Sequence, residues 1–385
     1  MADRLAENQL ILLSAGTATR REQMRERATA LAANIDWLHL AETLRARRLL
    51  PTLGPRIVEL AGSGSDGAFG DAVEQAVTTA RRHGGFLQLV TLRAMATLGD
   101  AGIRSVPLKG PLMAEAIYGD PGRRPSTDID LLVPAQQLRS AVEVIREMSY
   151  GSPTDHVYDN GLPLLHFVLV HERRELPAIE LHWRVHWYER DFASDRLLPP
   201  DGSDTGEWRP APVDELASLL LFYARDGFID LRLATDLGAW WDLHGGDLAA
   251  GALEVVLSSY PALTRVLSSA ALAAEKVVGL PAEHLLGRPV EDLRGRVAVR
   301  LANPNPRSSL SQLYADIGFV DGLLAPPGGF RDFINRQVLP PSEVLEQNAR
   351  HRARARARSP WGRGVGILAR YGVTLTRLAR SSDSL

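Results

Sequence analysis

Arg124-Pro-Ser-Thr-Asp-Ile-Asp-Leu-Leu-Val133, closed by Pro134, decides how this chain folds. Thr127 to Val133 predicts a strand, because branched and apolar residues alternate with short polar ones until a proline stops the run. Side chains two apart on a strand share a face, so Asp128 and Asp130 project together. Ile129, Leu131 and Val133 face the other way, toward a core. Two adjacent carboxylates repel unless a cation or a proton lies between them. Oxygen-only ligands favour Mg²⁺ or Mn²⁺ over zinc. An isolated Asp-x-Asp is more often a pair of solvated acids, so the neighbouring segments have to decide.

Downstream, Leu164 to His171 and Ala178 to His186 read as two strands of an antiparallel hairpin, joined by Glu172-Arg-Arg-Glu175. Alternation puts Glu180, His182, Arg184 and His186 on one face, with Ile179, Leu181, Trp183 and Val185 on the other. If this strand pairs beside the first, Glu180 becomes a third carboxylate. Three acids on adjacent strands suit two hard cations, which clamp the attacking and leaving oxygens of a phosphoryl displacement. His182 and His186 stand four apart on a strand, whereas a zinc pair at that spacing belongs on a helix. His182 is therefore either substrate-facing or a structural histidine.

Upstream, a short β-like run from Arg104 to Leu108 meets Lys109-Gly110-Pro111 and a helix from Leu112 to Tyr118. Proline suits the first helical position. Free N–H groups at a helix start, one ammonium and a glycine that admits close backbone approach make a phosphate site. Arg123 and Arg124 either meet phosphates as well or belong to a solvated loop.

Outward from this centre the pattern is helical. Arg20 to Ala33 and Asp36 to Arg48 have helical spacing, and a long helix runs from Gly70 to Leu98 with a break expected near Gly84-Gly85. After Pro134 another helix carries an apolar stripe of Leu138, Ala141, Val142, Ile145 and Met148. Residues 190–212 are irregular. Helices are expected over Asp214 to Arg225, Leu231 to Leu243, Asp247 to Val278 and Gly364 to Arg380, with a break at Asn303-Pro-Asn-Pro306. Trp240-Trp241 reads as helix packing rather than a base-stacking platform. The fold class is α+β: a mixed sheet of four or five strands with helices on one side. The expected units are a helical region over 1–80, a core over 81–190, a helical domain over 191–302 and a tail over 303–385.

Composition narrows the chemistry. The 385 residues are 45% apolar and carry a net charge of -2, which excludes wholesale disorder and argues against a generic polyanion binder. With no cysteine, there is no disulfide scaffold, thiol nucleophile or Cys-ligated metal. Only Lys109 and Lys276 are lysines among 44 basic residues, so a lysine beside a glycine at a strand–helix junction has a chemical reason to be there. No basic leader or long apolar run stands out, and a soluble cytoplasmic protein is expected, with no membrane partner. Arg352, Arg354, Arg356 and Arg358 read as a solvated stretch, and as the densest basic patch they are the best candidate for touching RNA.

Four segments taken together resemble the uncharacterised nucleotidyltransferase family, a branch of the DNA polymerase β-like nucleotidyltransferase superfamily. They are Val106-Pro-Leu-Lys-Gly-Pro-Leu112, Ile117-Tyr-Gly-Asp-Pro121, Arg124 to Val133 and Ile179-Glu-Leu-His-Trp183. The resemblance implies a polymerase β-like core flanked by helices, with Asp128, Asp130 and Glu180 as catalytic, metal-holding acids. It sets Lys109 and Gly110 in the nucleotide-phosphate loop and Asp236 as a supporting acid. Arg123, Arg124 and His182, from their charge and position beside these segments, are the further candidate nucleotide contacts. It implies Mg²⁺ or Mn²⁺, an NTP co-substrate and release of pyrophosphate. The acceptor is open, a peptide natural product or protein being one option. A toxin-like activity on tRNA or another RNA end, and a catalytically silent nucleotide-binding scaffold, are the alternatives. The chain departs from the wider superfamily in having Lys109-Gly110-Pro111 where Gly-Ser is usual. It also has Phe222-Tyr-Ala-Arg-Asp-Gly227 where the branch often has a histidine.

Overall fold

The alternation around Asp128 builds the sheet as expected. In the computed structural model the described residues are 2–152, 158–159, 162–163, 165–173, 175–200, 208–287, 292–302, 310–334, 368–374 and 376. Strands β1 (Val106–Pro107), β2 (Asp128–Leu132), β3 (Tyr150–Gly151), β6 (His166–His171) and β7 (Ala178–His182) form one sheet in the order β1-β2-β7-β6-β3. The remaining strands, β4 (Tyr158–Asp159) and β5 (Leu162–Pro163), make a separate two-stranded ribbon. β2 runs parallel to β7 and antiparallel to β1, and β6 and β7 form the predicted antiparallel hairpin. The sheet is mixed, and the α+β class holds.

Helices α1 to α5 (Ala2–Ala15, Ala18–Gln23, Arg25–Ala32, Trp37–Ala46 and Leu50–Ala61) precede the sheet, followed by α6 (Gly67–Asp100). Within the sheet region lie α7 (Pro111–Tyr118) and α8 (Leu138–Glu147). After it come α9 (Pro212–Arg225), α10 (Leu231–His244), α11 (Glu254–Ser259), α12 (Thr264–Val278), α13 (Ala282–Leu286), α14 (Leu293–Leu301), α15 (Leu310–Leu324) and α16 (Phe330–Phe333). No helix among the described residues is long and apolar enough to cross a membrane. The Asn303–Pro306 break and the Arg350–Arg358 segment lie outside the described residues, and of the expected last helix only 368–374 and 376 are described.

Two apolar cores divide the molecule. Ile129, Leu131, Val133, Ile179, Leu181 and Leu169 bury one sheet face against Leu87, Ala94 and Leu98 of α6 and Leu138, Ala141 and Ile145 of α8. The larger core joins the helices on either side of the sheet in sequence, with Leu10, Leu53 and Ile57 in the same cluster as Phe222, Trp240, Leu267 and Val278. Trp240 is fully buried and its indole N–H donates to Glu215 at 2.9 Å, which is helix packing.

Three local expectations differ from the structure. Helix α6 does not break at Gly84-Gly85. A Cβ on Gly84 would lie 2.8 Å from the Pro121 carbonyl oxygen, and one on Gly122 2.6 Å from the Arg81 nitrogen, so both glycines serve close contact. Through that contact α6 supports the Pro121–Arg123 turn that feeds β2. The helix expected over Asp247 to Val278 is two helices, α11 and α12, separated at Tyr260-Pro261, where proline cannot continue the ladder. Finally, β7 stops at His182. Beyond it the Val185 N–H donates to the Glu189 side chain at 2.9 Å instead of to a neighbouring strand.

Glu189 gives this loop a pH signature. Its carboxylate is buried, accepts the Val185 and Ala193 N–H groups, and burial pushes its pKa from 4.5 up to about 7. An acid raised on folding adds stability at pH below 4.5 that is lost as pH rises through 7. The loss is on the order of 3 kcal/mol at ~1.4 kcal/mol per pKa unit. Glu189→Gln should flatten this slope. Urea titrations of both proteins at pH 5 and pH 7.5 test it, and parallel slopes would refute the assignment.

Candidate active site

The polar face of the sheet is set by register. Asp130 lies directly opposite Glu180 across the parallel β2–β7 pair, and Leu132 lies opposite His182. Across the hairpin, His182 is paired with His166 and Glu180 with Val168. Asp128, Asp130, Glu180, His182 and His166 therefore share one face, opposite the face buried against α6 and α8. Helix α9 approaches this face, with the Phe222 ring edge-on to His182 at 6.2 Å between centroids.

Asp130 is the hub. Its Oδ1 lies 2.9 Å from His182 Nε2 and 3.4 Å from Lys109 Nζ, and the residue is 2% exposed. Lys109 comes from the segment after β1, where the Leu108 N–H donates to the Asp130 carbonyl at 3.1 Å and fixes the approach. Gly110 follows at φ 99° and ψ -154°, a conformation that side chains strongly disfavour, and caps α7 with Pro111 at the first helical position. The Lys109 ammonium also lies 5.1 Å from the Phe222 ring centroid, and the Arg225 guanidinium carbon 4.7 Å from the same ring.

Glu180 Oε2 is 3.4 Å from His182 Nε2 and 3.7 Å from His166 Nε2. The two imidazoles lie 4.9 Å apart between centroids, and neither Nδ1 has a hydrogen-bond partner. His182 is fully buried.

The charges sort the three acids. Burial, reinforced by the Asp130 charge, raises the Asp128 carboxyl above its ordinary value. Burial works to raise Asp130 too, but Lys109 and the His182 hydrogen bond outweigh it and hold Asp130 well below the usual range. For Glu180 the His182 hydrogen bond and the His166 charge overcome burial and lower it. Burial and the neighbouring His182 push His166 down to about 4. Asp128 is thus the acid left with the least compensation, and a cation beside it relieves that cost.

Arg123 and Arg124 do not join this cluster. Arg124 is buried, with its Nε 2.6 Å from Asp236 Oδ2, while Tyr118 Oη donates to Asp236 Oδ1 at 2.8 Å. Arg123 donates to the Thr52 carbonyl at 3.3 Å and has a buried Nε without a partner. Their guanidiniums tie the loop before β2 to α10 and α5. His186 is buried beyond the end of β7, its Nδ1 accepting the Tyr188 N–H at 3.2 Å, so the alternation that grouped it with Glu180 ends before it. His166 is the site neighbour that the sequence analysis did not single out, and its signal is the hairpin register. Phe222 and Arg225 lie in the stretch noted only for lacking the branch's histidine, and the resemblance gave them no role.

Comparison with known families matches residues 33–277 to the uncharacterised nucleotidyltransferases. Comparisons with curated proteins and with solved structures found no match. The matched span contains the whole sheet and every residue of the polar cluster, from Lys109 to Arg225, and it exceeds half of the chain. This protein belongs to the uncharacterised nucleotidyltransferase family.

Proposed function

We propose that this nucleotidyltransferase moves a nucleoside monophosphate from an NTP to an acceptor hydroxyl, phosphate or amine, releasing pyrophosphate, with a divalent cation held by Asp128, Asp130 and Glu180. The observation that carries the reading is the direct pairing of Asp130 with Glu180 across parallel strands, with Asp128 on the same face. The donor set fits a hard dication, because the three acids crowd one surface and burial together with the Asp130 charge outweighs the Lys109 charge at Asp128. When bound, such a cation supplies charge neutralisation for the α-phosphate and the leaving pyrophosphate.

The chain's own groups do the rest. Lys109 Nζ, 3.4 Å from Asp130 Oδ1, supplies the compact ammonium that pairs with a phosphate oxygen of the NTP. The first-turn amides of α7, left without intrahelical acceptors, and the Cβ-free approach at Gly110 hold the same phosphates. Glu180 accepts the proton of the acceptor group as it attacks. His182 orients the Asp130 carboxylate through its 2.9 Å hydrogen bond.

The test is incubation with each NTP and Mg²⁺ or Mn²⁺, following pyrophosphate release, with mass spectrometry of candidate peptides, proteins and tRNA. A mass gain of one nucleoside monophosphate on an acceptor, with matching pyrophosphate, is the expected result. NTP binding without pyrophosphate release under any acceptor makes the protein a scaffold and removes the reading.

A further inference from the structure

The sheet face carries a second, partly overlapping set of donors, of which only His166 has no part in the proposed transfer reaction. Three ligand atoms, one each from His166, Glu180 and His182, lie within 4.8 Å of one another. The contacts of Glu180 Oε2 with His182 Nε2 and His166 Nε2 give two edges of that triangle, 3.4 and 3.7 Å. Tetrahedral zinc with Zn–N and Zn–O bonds near 2.0–2.2 Å requires ligand–ligand edges of about 3.3–3.6 Å. The two Glu180 edges lie at or near that length, and the edge between the two imidazoles, within 4.8 Å, shortens toward it when an ion binds. Asp130 Oδ1, 2.9 Å from His182 Nε2, stands beside it as a further oxygen.

The chemistry of the donors separates this site from the one formed by the acids alone. Two imidazole nitrogens and one carboxylate oxygen suit a borderline transition dication, whereas Mg²⁺ takes oxygen. Glu180 forms no ion pair with a lysine or arginine among the described residues, its charged partners being His166 and His182. Lys109 reaches Asp130 and leaves the triangle clear. Neither ring has a partner at Nδ1, so the polar capacity of both is concentrated on the Nε2 atoms that converge on the glutamate.

We propose that His166, Glu180 and His182 form a binding site for a Zn²⁺-class dication. The site is defined by its ligands and does not depend on the transfer reaction, although it shares Glu180 and His182 with the groups assigned to that reaction, and His182 Nε2 exchanges its Asp130 hydrogen bond for the ion. An ion held there engages the glutamate that the Asp128–Asp130 pair also uses.

The experiment titrates tag-free, EDTA-treated full chain with ZnCl₂ by calorimetry, and with CoCl₂ by visible absorption. One equivalent of Zn²⁺ and the d–d bands of low-coordinate Co²⁺ are expected. His166→Gln, chosen because its side chain is a third exposed, should weaken Zn²⁺ at least about 100-fold and erase the Co²⁺ bands. Glu180→Gln should do the same, which guards against one variant that fails to fold; thermal melts of both check folding. Absence of saturable binding, or binding unchanged in two folded variants, overturns the site. Pyrophosphate release with Mg²⁺ and NTP in the same zinc-free preparation keeps the two readings apart. Zinc binding without release leaves this site standing and removes the transfer reading; release without zinc binding does the reverse.

Discussion

Asp128→Asn and Asp130→Asn should each lower nucleotidyl transfer by at least about 1,000-fold, since a neutral amide is a poor ligand for the charge that stabilises the transition state. Their stabilities should move in opposite directions. Asp128 is raised by burial and by Asp130, so its ionised form costs stability as pH rises through its folded pKa. Neutralising it at pH 7 should raise Tm in metal-free buffer. Asp130 is lowered, so it stabilises the fold at pH above 3.8 and loses that contribution as pH falls through its folded value. Asp130→Asn leaves Lys109 Nζ and His182 Nε2 without their anion and should lower Tm at pH 7. Thermal melts and pyrophosphate release on both variants make the check. Undiminished transfer in either protein, or Tm shifts of the same sign, would contradict the assignment.

The largest effect on stability is expected away from the acids. Asp236 is completely buried and receives Arg124 and Tyr118, and Arg124 is itself buried. Removing one partner of such a pair strands a charge in the interior and costs about 3–5 kcal/mol. That is a large share of the ~5–15 kcal/mol by which a domain is stable. Asp236→Ala and Arg124→Ala should each show this loss in urea unfolding. The double variant Arg124→Met/Asp236→Leu should recover most of it, because the desolvation of both charges disappears with them. Single-variant costs below about 1 kcal/mol would mean that the pair is solvated and holds nothing.

That pair also shows where sequence reading reached its limit. A shared face for Asp128 and Asp130 could be read because alternation on a strand is a local property. The sequence left open whether the Glu180 strand pairs beside theirs and in which direction; the structure aligns Asp130 with Glu180 in a parallel pair. Arg124 sits in a polar loop by its neighbours, Pro125 and Ser126, and nothing local says that Asp236 will bury it. His166 was one step from legible. The hairpin places it opposite His182, but a register slip of one residue turns the whole strand over, and the turn residues do not fix the register. Phe222 and Arg225 arrive from α9 through tertiary packing alone. The glycine pair at 84–85 looked like a helix breaker, whereas Gly84 is spent on contact with Pro121.

The parallel alignment of β2 with β7 has a kinetic meaning. Two parallel strands cannot be joined by a tight turn, and here α8, β3 and β6 come between them. The hairpin of β6 and β7 closes over a short loop, while β2 must wait for the crossover to pay its loop entropy. Asp130 comes to face Glu180 only once β2 pairs with β7. If the three acids hold a cation as proposed, the electrostatic cost of bringing them together arises at that pairing, and Mg²⁺ in the refolding buffer should speed it.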